Sequence, residues 1–243
     1  MCKVVKRGYL LNDEKEFSSE SVKKLYKAGR DLYYLLNQGY KIKGASVFVG
    51  NHYLLSERQR LALTRAISSE KNIENRRNKE IKDNLEGSII NIDGFNTIIT
   101  LEVALSHSLL LKCMDGTFRD LAALRGTYRL IDKTELAIKL IGQILEKNKI
   151  AKAIFYLDAP VSNSGKLKER ILELLNEFSF AVQVENIKNV DTVLEKLDNV
   201  ITSDAIILDK CKSWINLNKK IIENNIGDHS YTDFRLSFSL PNT

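Results

Sequence analysis

The sequence predicts an α/β fold in which an open parallel sheet is flanked by helices and preceded by a smaller, mainly helical and basic region. Three short apolar runs each end on an aspartate, at Asp93, Asp158 and Asp204. Segments with helical spacing of apolar residues separate these runs, and strands that alternate with helices favour right-handed parallel crossovers. Because the carboxyl ends of parallel strands meet at one edge of a sheet, we expect the three aspartates to face one crevice.

The N-terminal third predicts helices. Residues 19–38 carry apolar residues at helical spacing, and Ser56 begins a second helix with a capping box that ends in Gln59. Residues 45–50 are too short and too β-branched for a good helix. Residues 70–86 are strongly charged and predict a linker or an exposed helix. The sequence therefore predicts a basic helical region at residues 1–86 and an α/β domain at residues 87–243.

The first aspartate run lies at residues 89–93 and reads Ile-Ile-Asn-Ile-Asp, whose β-branched residues favour a strand. Gly94 permits a sharp exit of the backbone, and residues 97–105 can form the following helix. Asp93 can simply cap this turn, since Asp-Gly pairs are common in turns. The recurrence of the pattern downstream favours a functional role.

Predicted strands and helices alternate through the rest of the chain. The further strands are expected at residues 108–114, 153–157, 180–184 and 200–203, with an edge strand at 234–238. The further helices are expected at residues 135–145, 167–178 and 190–197, with a closing helix at 214–222.

Composition is ordinary for a globular protein, with 44% hydrophobic residues. No apolar run approaches the roughly 18 residues of a membrane span, and the N-terminal residues lack the apolar core of a signal peptide. We therefore expect a cytoplasmic protein with no membrane partner. The three cysteines are far apart, without a spacing suited to zinc, so we expect reduced thiols.

Basic residues are concentrated near the N-terminus. Residues 1–86 carry 18 Lys and Arg against 11 Asp and Glu, whereas the remainder carries 19 against 20. A basic face attracts phosphate polyanions, although arginines on a helix are often only solvated or ion-paired. The residues that can contact nucleic acid in this region are His52, Arg58, Arg60 and Arg65.

Two motifs resemble a known superfamily. The strand-Asp-Gly-Phe-Asn pattern that ends at Asn96 and the strand-Thr-Ser-Asp pattern that ends at Asp204 are similar to those of PIN-like nucleases, especially the NYN branch. The resemblance covers about residues 88–215 and adds Asp191, which matches an acidic position that opens a helix. It implies a PIN-like fold, hydrolysis of RNA rather than DNA, and a homodimer as a common assembly. Asp158 departs from the pattern, since alanine follows it where many NYN relatives have glycine.

Residues 49–53 and 58–60 also resemble an uncharacterised prokaryotic family known only as a domain of unknown function. This second resemblance covers the whole chain and implies no activity.

Four aspartates at one edge would repel one another unless a cation lay between them. Oxygen ligands without His or Cys suit Mg²⁺ or Mn²⁺, which can activate water and neutralise phosphate during phosphodiester hydrolysis. We expect Asp93 and Asp204 to bind the metal directly. Asp158 would bind it directly or through water, and Asp191 would bind a second ion or position water. Asn96 and Ser203 can orient these carboxylates.

Two segments predict phosphate contacts. The first gathers arginines around Gly126, where pairing with nearby aspartates is an equal alternative. The second precedes a helix and offers hydroxyl, amide and ammonium groups, which can also serve only as helix caps. The residues concerned are Arg119, Arg125, Arg129, Ser162, Asn163, Ser164 and Lys166.

Two other functions stay open at the level of the sequence. One is a module that binds RNA without cleaving it, and the other is a metal-dependent phosphatase or nucleotidase for a small molecule. Asp115-Gly116-Thr117 invites comparison with aspartate-nucleophile phosphatases. Their motif needs an aspartate two positions earlier, where Cys113 stands.

Overall fold

A computed structural model of the protein describes residues 5–122, 126–227 and 230–238. The strands are β1 (Ile89–Asp93), β2 (Leu110–Lys112), β3 (Phe118–Asp120), β4 (Lys152–Asp158), β5 (Ala181–Ile187), β6 (Val200–Ile201), β7 (Trp214–Ile215) and β8 (Tyr231–Asp233). The helices are α1 (Asp13–Glu16), α2 (Ser19–Asn37), α3 (Ile42–His52), α4 (Glu57–Ala66), α5 (Glu70–Lys79), α6 (Gly94–Leu105), α7 (Asp132–Lys147), α8 (Ser164–Leu175), α9 (Val190–Leu194), α10 (Ala205–Lys210) and α11 (Leu217–Asn225), and a 3-10 helix spans Phe234–Phe238.

Five strands form a parallel sheet in the order β5-β4-β1-β6-β7. Strand β1 lies in the middle, with Ile92 opposite Phe155 of β4 and opposite Ile201 of β6. The chain builds the β4 side first and crosses to the β6 side later, so the strand order reverses beside β1. Crevices form at the carboxyl edge of parallel sheets at such reversals. The predicted α/β fold, a helix-flanked parallel sheet preceded by a helical region, is confirmed.

Helix α6 follows β1 directly and is buried on nearly all sides, because it packs against β4, α7, α11 and the smaller sheet formed by β3, β2 and β8. Its buried carboxylate, Glu102, is satisfied by three groups. The Arg7 guanidinium donates to it at 2.8 Å, the Tyr128 hydroxyl donates at 2.6 Å, and the Thr134 hydroxyl donates as well. This network attaches the N-terminal segment to the sheet domain.

The N-terminal helices share their hydrophobic core with the rest of the chain. Leu25, Leu32 and Leu63 belong to one buried cluster with Leu111 of β2 and Phe234 of the 3-10 helix. Helix α2 and the complete capping box of α4 lie where the sequence predicts them. The division at residues 86 and 87 stays a prediction.

Residues 45–50 differ from the sequence expectation, because they lie within helix α3. The buried residues of this helix are Ala45, Ser46, Val49 and Gly50, which recur at helical spacing. Helix α3 packs between α2 and α4, and this burial of small side chains overrides the β-propensity of the segment.

The C-terminal elements also differ in part. Trp214 begins the edge strand β7 rather than the closing helix, and its buried indole N–H donates to the Arg76 carbonyl at 2.7 Å. The helix itself begins at Leu217. The strand near the C-terminus is β8, and residues 234–238 form the 3-10 helix. No helix of the described residues is long and apolar enough to cross a membrane.

Candidate active site

A cleft of about 980 Å³ lies at the carboxyl edge of the parallel sheet, between this edge and the N-terminal helices. The four predicted aspartates all line it, and Asn96 and Ser203 line it with them. The aspartates are Asp93 at the end of β1, Asp158 at the end of β4, Asp191 in α9 and Asp204 after β6. The parallel sheet thus brings together residues that are far apart in the sequence.

Asp93 lies deepest, with 7% of its surface exposed. Its Oδ2 accepts a hydrogen bond from the Thr202 hydroxyl at 2.8 Å. The pKa of Asp93 is raised to about 7, chiefly by burial and also by the charges of Asp204 and Asp191, while hydrogen bonds from the Thr202 hydroxyl and the Asn96 amide oppose the rise. The ionised form of this carboxylate is therefore energetically disfavoured unless a cation lies near it.

Gly94 places Asp93 through close packing. A Cβ atom on this glycine would lie 2.5 Å from Leu157 Cδ2 and 3.0 Å from the Tyr156 carbonyl oxygen. Its φ angle is not in the positive region, so the expected sharp exit needs space rather than unusual backbone angles. A glycine here lets the first turn of α6 lie directly against β4.

Hydrogen bonds connect the ends of β1 and β6. The Thr202 hydroxyl that donates to Asp93 accepts from the Asp204 amide at 3.0 Å. Asn96 Oδ1 accepts from the Ser203 amide at 2.8 Å and from the Ser203 hydroxyl at 2.9 Å. These bonds fix the backbone around Asp204, and the predicted role of Asn96 and Ser203 in orienting the carboxylates stays a prediction.

Asp204 caps helix α10. Its Oδ1 accepts from the amides of Ile206 at 2.7 Å and Ile207 at 3.2 Å. These bonds to Oδ1 hold the carboxylate in one orientation, and the residue lines the cleft.

Asp158 and Asp191 lie nearer the rim. Burial raises the pKa of Asp158. Burial also raises the pKa of Asp191, and the charges of Asp204, Asp158 and Glu195 add to this effect. Asp191 therefore lies within electrostatic reach of Asp158 and Asp204.

The donors of the site are all oxygen atoms, which suits Mg²⁺ or Mn²⁺. Among the residues that the structure describes, no three His, Cys, Asp or Glu side chains are arranged to hold a metal ion by themselves. Mg²⁺ often binds through one or two carboxylates and takes its other ligands from water and substrate phosphate. Asp93 and Asp204 fit a site of this kind.

The loop before α8 lies outside the cleft. Ser162 Oγ accepts from the Tyr128 amide at 3.1 Å, and Asn163 Nδ2 donates to the Tyr128 carbonyl at 2.6 Å. Ser164 is buried and accepts from Asn186. Lys166 is exposed away from the cleft lining. The predicted phosphate loop therefore holds the Tyr128 segment instead.

The predicted arginine cluster also differs. Arg119 is buried, and its guanidinium donates to the carbonyls of Ser203 (2.5 Å) and Arg65 and to the Asp115 carboxylate. It lies in the cleft wall but is used to hold the Ser203–Asp204 backbone, so it is not a free phosphate ligand. Arg129 is exposed and is not part of the cleft lining. Arg125 lies outside the described residues.

Of the N-terminal candidates, Arg65 lines the cleft, where it pairs with Asp120. Arg58 is bound to Asp13 and to the carbonyls of Gly8 and Leu121. Arg60 donates to the Leu55 carbonyl at 2.9 Å and to Asn51 at 2.9 Å. His52 packs edge-on against Tyr53. The last three therefore have structural contacts and lie outside the cleft.

Several cleft residues are not among the site residues that the sequence predicts. Asp120 ends β3, like the predicted aspartates, and accepts from the Thr100 hydroxyl at 2.9 Å. The pattern of a short strand that ends on an aspartate therefore also applies to Asp120. The N-terminal wall adds Tyr40, Ile42, Lys43 and Asn72, which only the folded chain brings to the site.

The fold and the cleft together define an α/β protein with a carboxylate-lined site at the carboxyl edge of its parallel sheet. The chain belongs to the family described as "Domain of unknown function (DUF5616)", whose model matches residues 82–220. A second model, "Protein of unknown function (DUF434)", matches residues 24–79. The chain is 40% identical over 184 residues to "Uncharacterized protein MJ0935" of Methanocaldococcus jannaschii, covering 75% of this chain and 88% of the relative. No solved structure matches the chain.

Proposed function

We propose that the protein is a PIN-like, NYN-type nuclease that hydrolyses phosphodiester bonds of RNA with the help of Mg²⁺ or Mn²⁺. The observation that carries this proposal is the convergence of Asp93, Asp158, Asp191 and Asp204 in one cleft at the carboxyl edge of the sheet. The motifs around Asp93 and Asp204 resemble those of that superfamily. The buried Asp93 carboxylate, whose pKa is raised by burial and by the charges of Asp204 and Asp191, favours a cation over an uncharged ligand.

In this proposal Asp93 and Asp204 hold the metal. The ion would neutralise a substrate phosphate and lower the pKa of a bound water. The protein supplies the placement of these groups. Thr202 and Asn96 keep Asp93 and the Ser203–Asp204 backbone in a fixed arrangement, so little reorganisation is needed when substrate binds.

Asp158 and Asp191 have a different part in the proposal. They lie at the rim, where Asp191 is exposed and Asp158 is partly exposed. Their raised pKa values favour accepting a proton from water near neutral pH more than ordinary surface aspartates do. They can therefore position the attacking water or contact a second ion.

A non-catalytic RNA-binding module is the second candidate. It is favoured by one observation, namely that the basic side chains of Lys43 and Arg65 line the cleft. The small-molecule phosphatase alternative has less support. Asp115 is buried between Arg76 and Arg119, with Arg76 Nη1 2.6 Å from its Oδ2, and so cannot act as an accessible nucleophile.

The proposal is tested with end-labelled single-stranded and structured RNA in Mg²⁺, Mn²⁺ or EDTA. Wild type is compared with Asp93→Asn and Asp204→Asn, which remove a charge with little change of shape. Asp132→Asn is the matched control, because Asp132 is exposed and lies outside the cleft.

We expect metal-dependent cleavage by wild type and Asp132→Asn, with a loss of at least a hundredfold in both cleft variants. Equal cleavage by all four proteins would show that another site or a contaminant cuts the RNA. Salt-sensitive binding without cleavage would favour the RNA-binding module.

A further inference from the structure

Large apolar side chains are exposed at the mouth of the cleft on both sides. On the helical side, Tyr40 is 61% exposed and Ile42 is 38% exposed. On the sheet side, Ile206 is 58% exposed and lies two residues after Asp204. Phe95 and Ile99 extend this apolar surface into the cleft. We call Tyr40, Ile42 and Ile206 the cleft lips.

Charged side chains lie beside the cleft lips, with negative charges on one side of the cleft and positive charges on the other. The sheet side of the cleft carries the aspartates, whereas the helical side carries Lys43 and Arg65. Lys43 is exposed and forms no ion pair with any residue in the described part of the chain. An occupant that suits this arrangement has a flat apolar surface for the lips and repeated negative charges for the lysine and the metal site.

An unpaired nucleotide within a polynucleotide has both properties. A base can stack on an aromatic ring, and its neighbouring phosphates can reach Lys43 on one side and a cation held by the aspartates on the other. A paired base is stacked within its helix and cannot enter between the lips. The cleft volume of about 980 Å³ is at the upper end for small-ligand pockets, which run to about 1,000 Å³. It is therefore large enough for a base together with its adjacent phosphates.

We propose that the cleft lips form a base-binding site for one unpaired nucleotide of the substrate strand, with Tyr40 stacking on the base and Lys43 binding an adjacent phosphate. This inference rests on the proposed function, since it names the part of the substrate that the N-terminal helices hold. It gives these helices a role inside the same site as the aspartates.

The test measures binding rather than cleavage. Fluorescence anisotropy follows a labelled single-stranded oligoribonucleotide of 12 or more residues in EDTA, with the full-length protein. Tyr40→Ala is compared with Tyr34→Ala, because Tyr34 is 63% exposed on the same helical hairpin but does not line the cleft. Tyr40→Phe keeps the aromatic ring. Lys43→Ala is paired with Lys41→Ala, which removes an exposed lysine outside the cleft lining.

We expect Tyr40→Ala to weaken binding about tenfold or more, because stacking on one base contributes about 1–3 kcal/mol. Tyr40→Phe and Tyr34→Ala should stay within about twofold of wild type. Lys43→Ala should weaken binding and reduce the salt slope by about 0.7, the value for one phosphate of a single strand. A duplex of the same sequence should bind with no dependence on Tyr40.

The inference is overturned if Tyr40→Ala and Tyr34→Ala bind alike, if wild type does not bind the strand, or if a mononucleotide binds as tightly with the same dependence on Tyr40. Circular dichroism and melting of each variant show that it is folded. The nuclease proposal and the base-binding proposal can be refuted independently of each other. Binding that depends on Tyr40 without any metal-dependent cleavage refutes the nuclease alone, whereas cleavage that is unchanged in Tyr40→Ala refutes the base-binding site alone.

Discussion

Two aspartates with buried carboxyl groups, Asp93 and Asp115, have opposite electrostatic environments. Asp93 has charged neighbours of its own sign, and burial raises its pKa to about 7. Asp115 is also buried, but Arg119 and Arg76 more than offset burial and lower its pKa to about 2. Stabilising ion pairs surround Asp115, whereas Asp93 is held in place at a cost to stability. Such a cost is typical of a binding or catalytic group.

The first prediction concerns the stability contributed by Asp93. Its folded pKa lies above the unfolded value of about 3.9, so the folded protein holds a proton that the unfolded chain has lost, and stability falls as pH rises from about 4 to 7. In EDTA at pH 8, Asp93→Asn should therefore be more stable than wild type, by an amount on the order of 3 kcal/mol. The difference should shrink as the pH is lowered towards 4.

Urea unfolding at several pH values measures this difference. Addition of Mn²⁺ should stabilise wild type and leave Asp93→Asn almost unchanged, because the variant lacks the charge that binds the ion. If Asp93→Asn were less stable than wild type at pH 8 in EDTA, the raised pKa of Asp93 in the folded protein would be contradicted.

The second prediction concerns Asp115, whose contribution to stability changes with pH in the opposite direction to that of Asp93. Asp115 contributes stability above the unfolded pKa of about 3.9, and that contribution is lost as pH falls towards 2. Asp115→Asn should destabilise the protein by about 3–5 kcal/mol at pH 7, because it leaves Arg76 and Arg119 buried without their partner. Asp132→Asn, at an exposed position, should stay within about 0.5 kcal/mol of wild type. Equal melting temperatures for the two variants would argue against a buried ionic network.

At the scale of elements, the strand β1 and helix α6 position the site through their close junction. Gly94→Ala should destabilise the protein by about 1–3 kcal/mol, since its Cβ would overlap Leu157 and approach the Tyr156 carbonyl. Gly165→Ala is the matched control, because it also lies in the first turn of a helix but has open space around its Cβ. The control should be neutral or slightly stabilising.

Chemical denaturation of both variants measures the effect. We also expect Gly94→Ala to weaken Mn²⁺ binding, because a displaced first turn of α6 moves Asp93 and Asn96. Equal stability of the two alanine variants would show that β4 can move away from α6 without strain.

The elements that the sequence predicts well are those with local signals. The apolar run before Asp93, the capping box at Ser56 and the helical spacing in α2 are all local patterns. The sequence does not predict helix α3, because the burial of this segment depends on its packing against α2 and α4. The loop at Ser162 was misread for a related reason, since its hydroxyl and amide partners belong to Tyr128.

At the scale of the whole molecule, one buried network connects the N-terminal helices to the site. Arg76 of α5 binds Asp115 and Asp209, while Arg119 binds Asp115 and the Ser203 carbonyl beside Asp204. The sequence shows a basic N-terminal region, but it does not show that Arg65 and Arg76 of this region lie in the cleft wall. Their acidic partners lie 39 or more residues away along the chain, so no local pattern reveals these ion pairs.

This shared network, with the shared hydrophobic cluster, predicts that the two parts unfold together. Differential scanning calorimetry of the full chain should give a single transition whose calorimetric and van't Hoff enthalpies agree. Two separated transitions would instead support independent domains that meet near residue 86.

The central claim is that the cleft aspartates bind a divalent cation. X-ray diffraction from crystals grown with Mn²⁺, recorded near the manganese absorption edge, tests it most directly. We expect an anomalous peak within bonding distance of Asp93 and Asp204, at about 2.0–2.2 Å from their oxygens, as for a small divalent ion. The same peak should be absent in Asp93→Asn. An empty cleft in wild type at millimolar Mn²⁺, or a peak bound only by residues elsewhere, would contradict it.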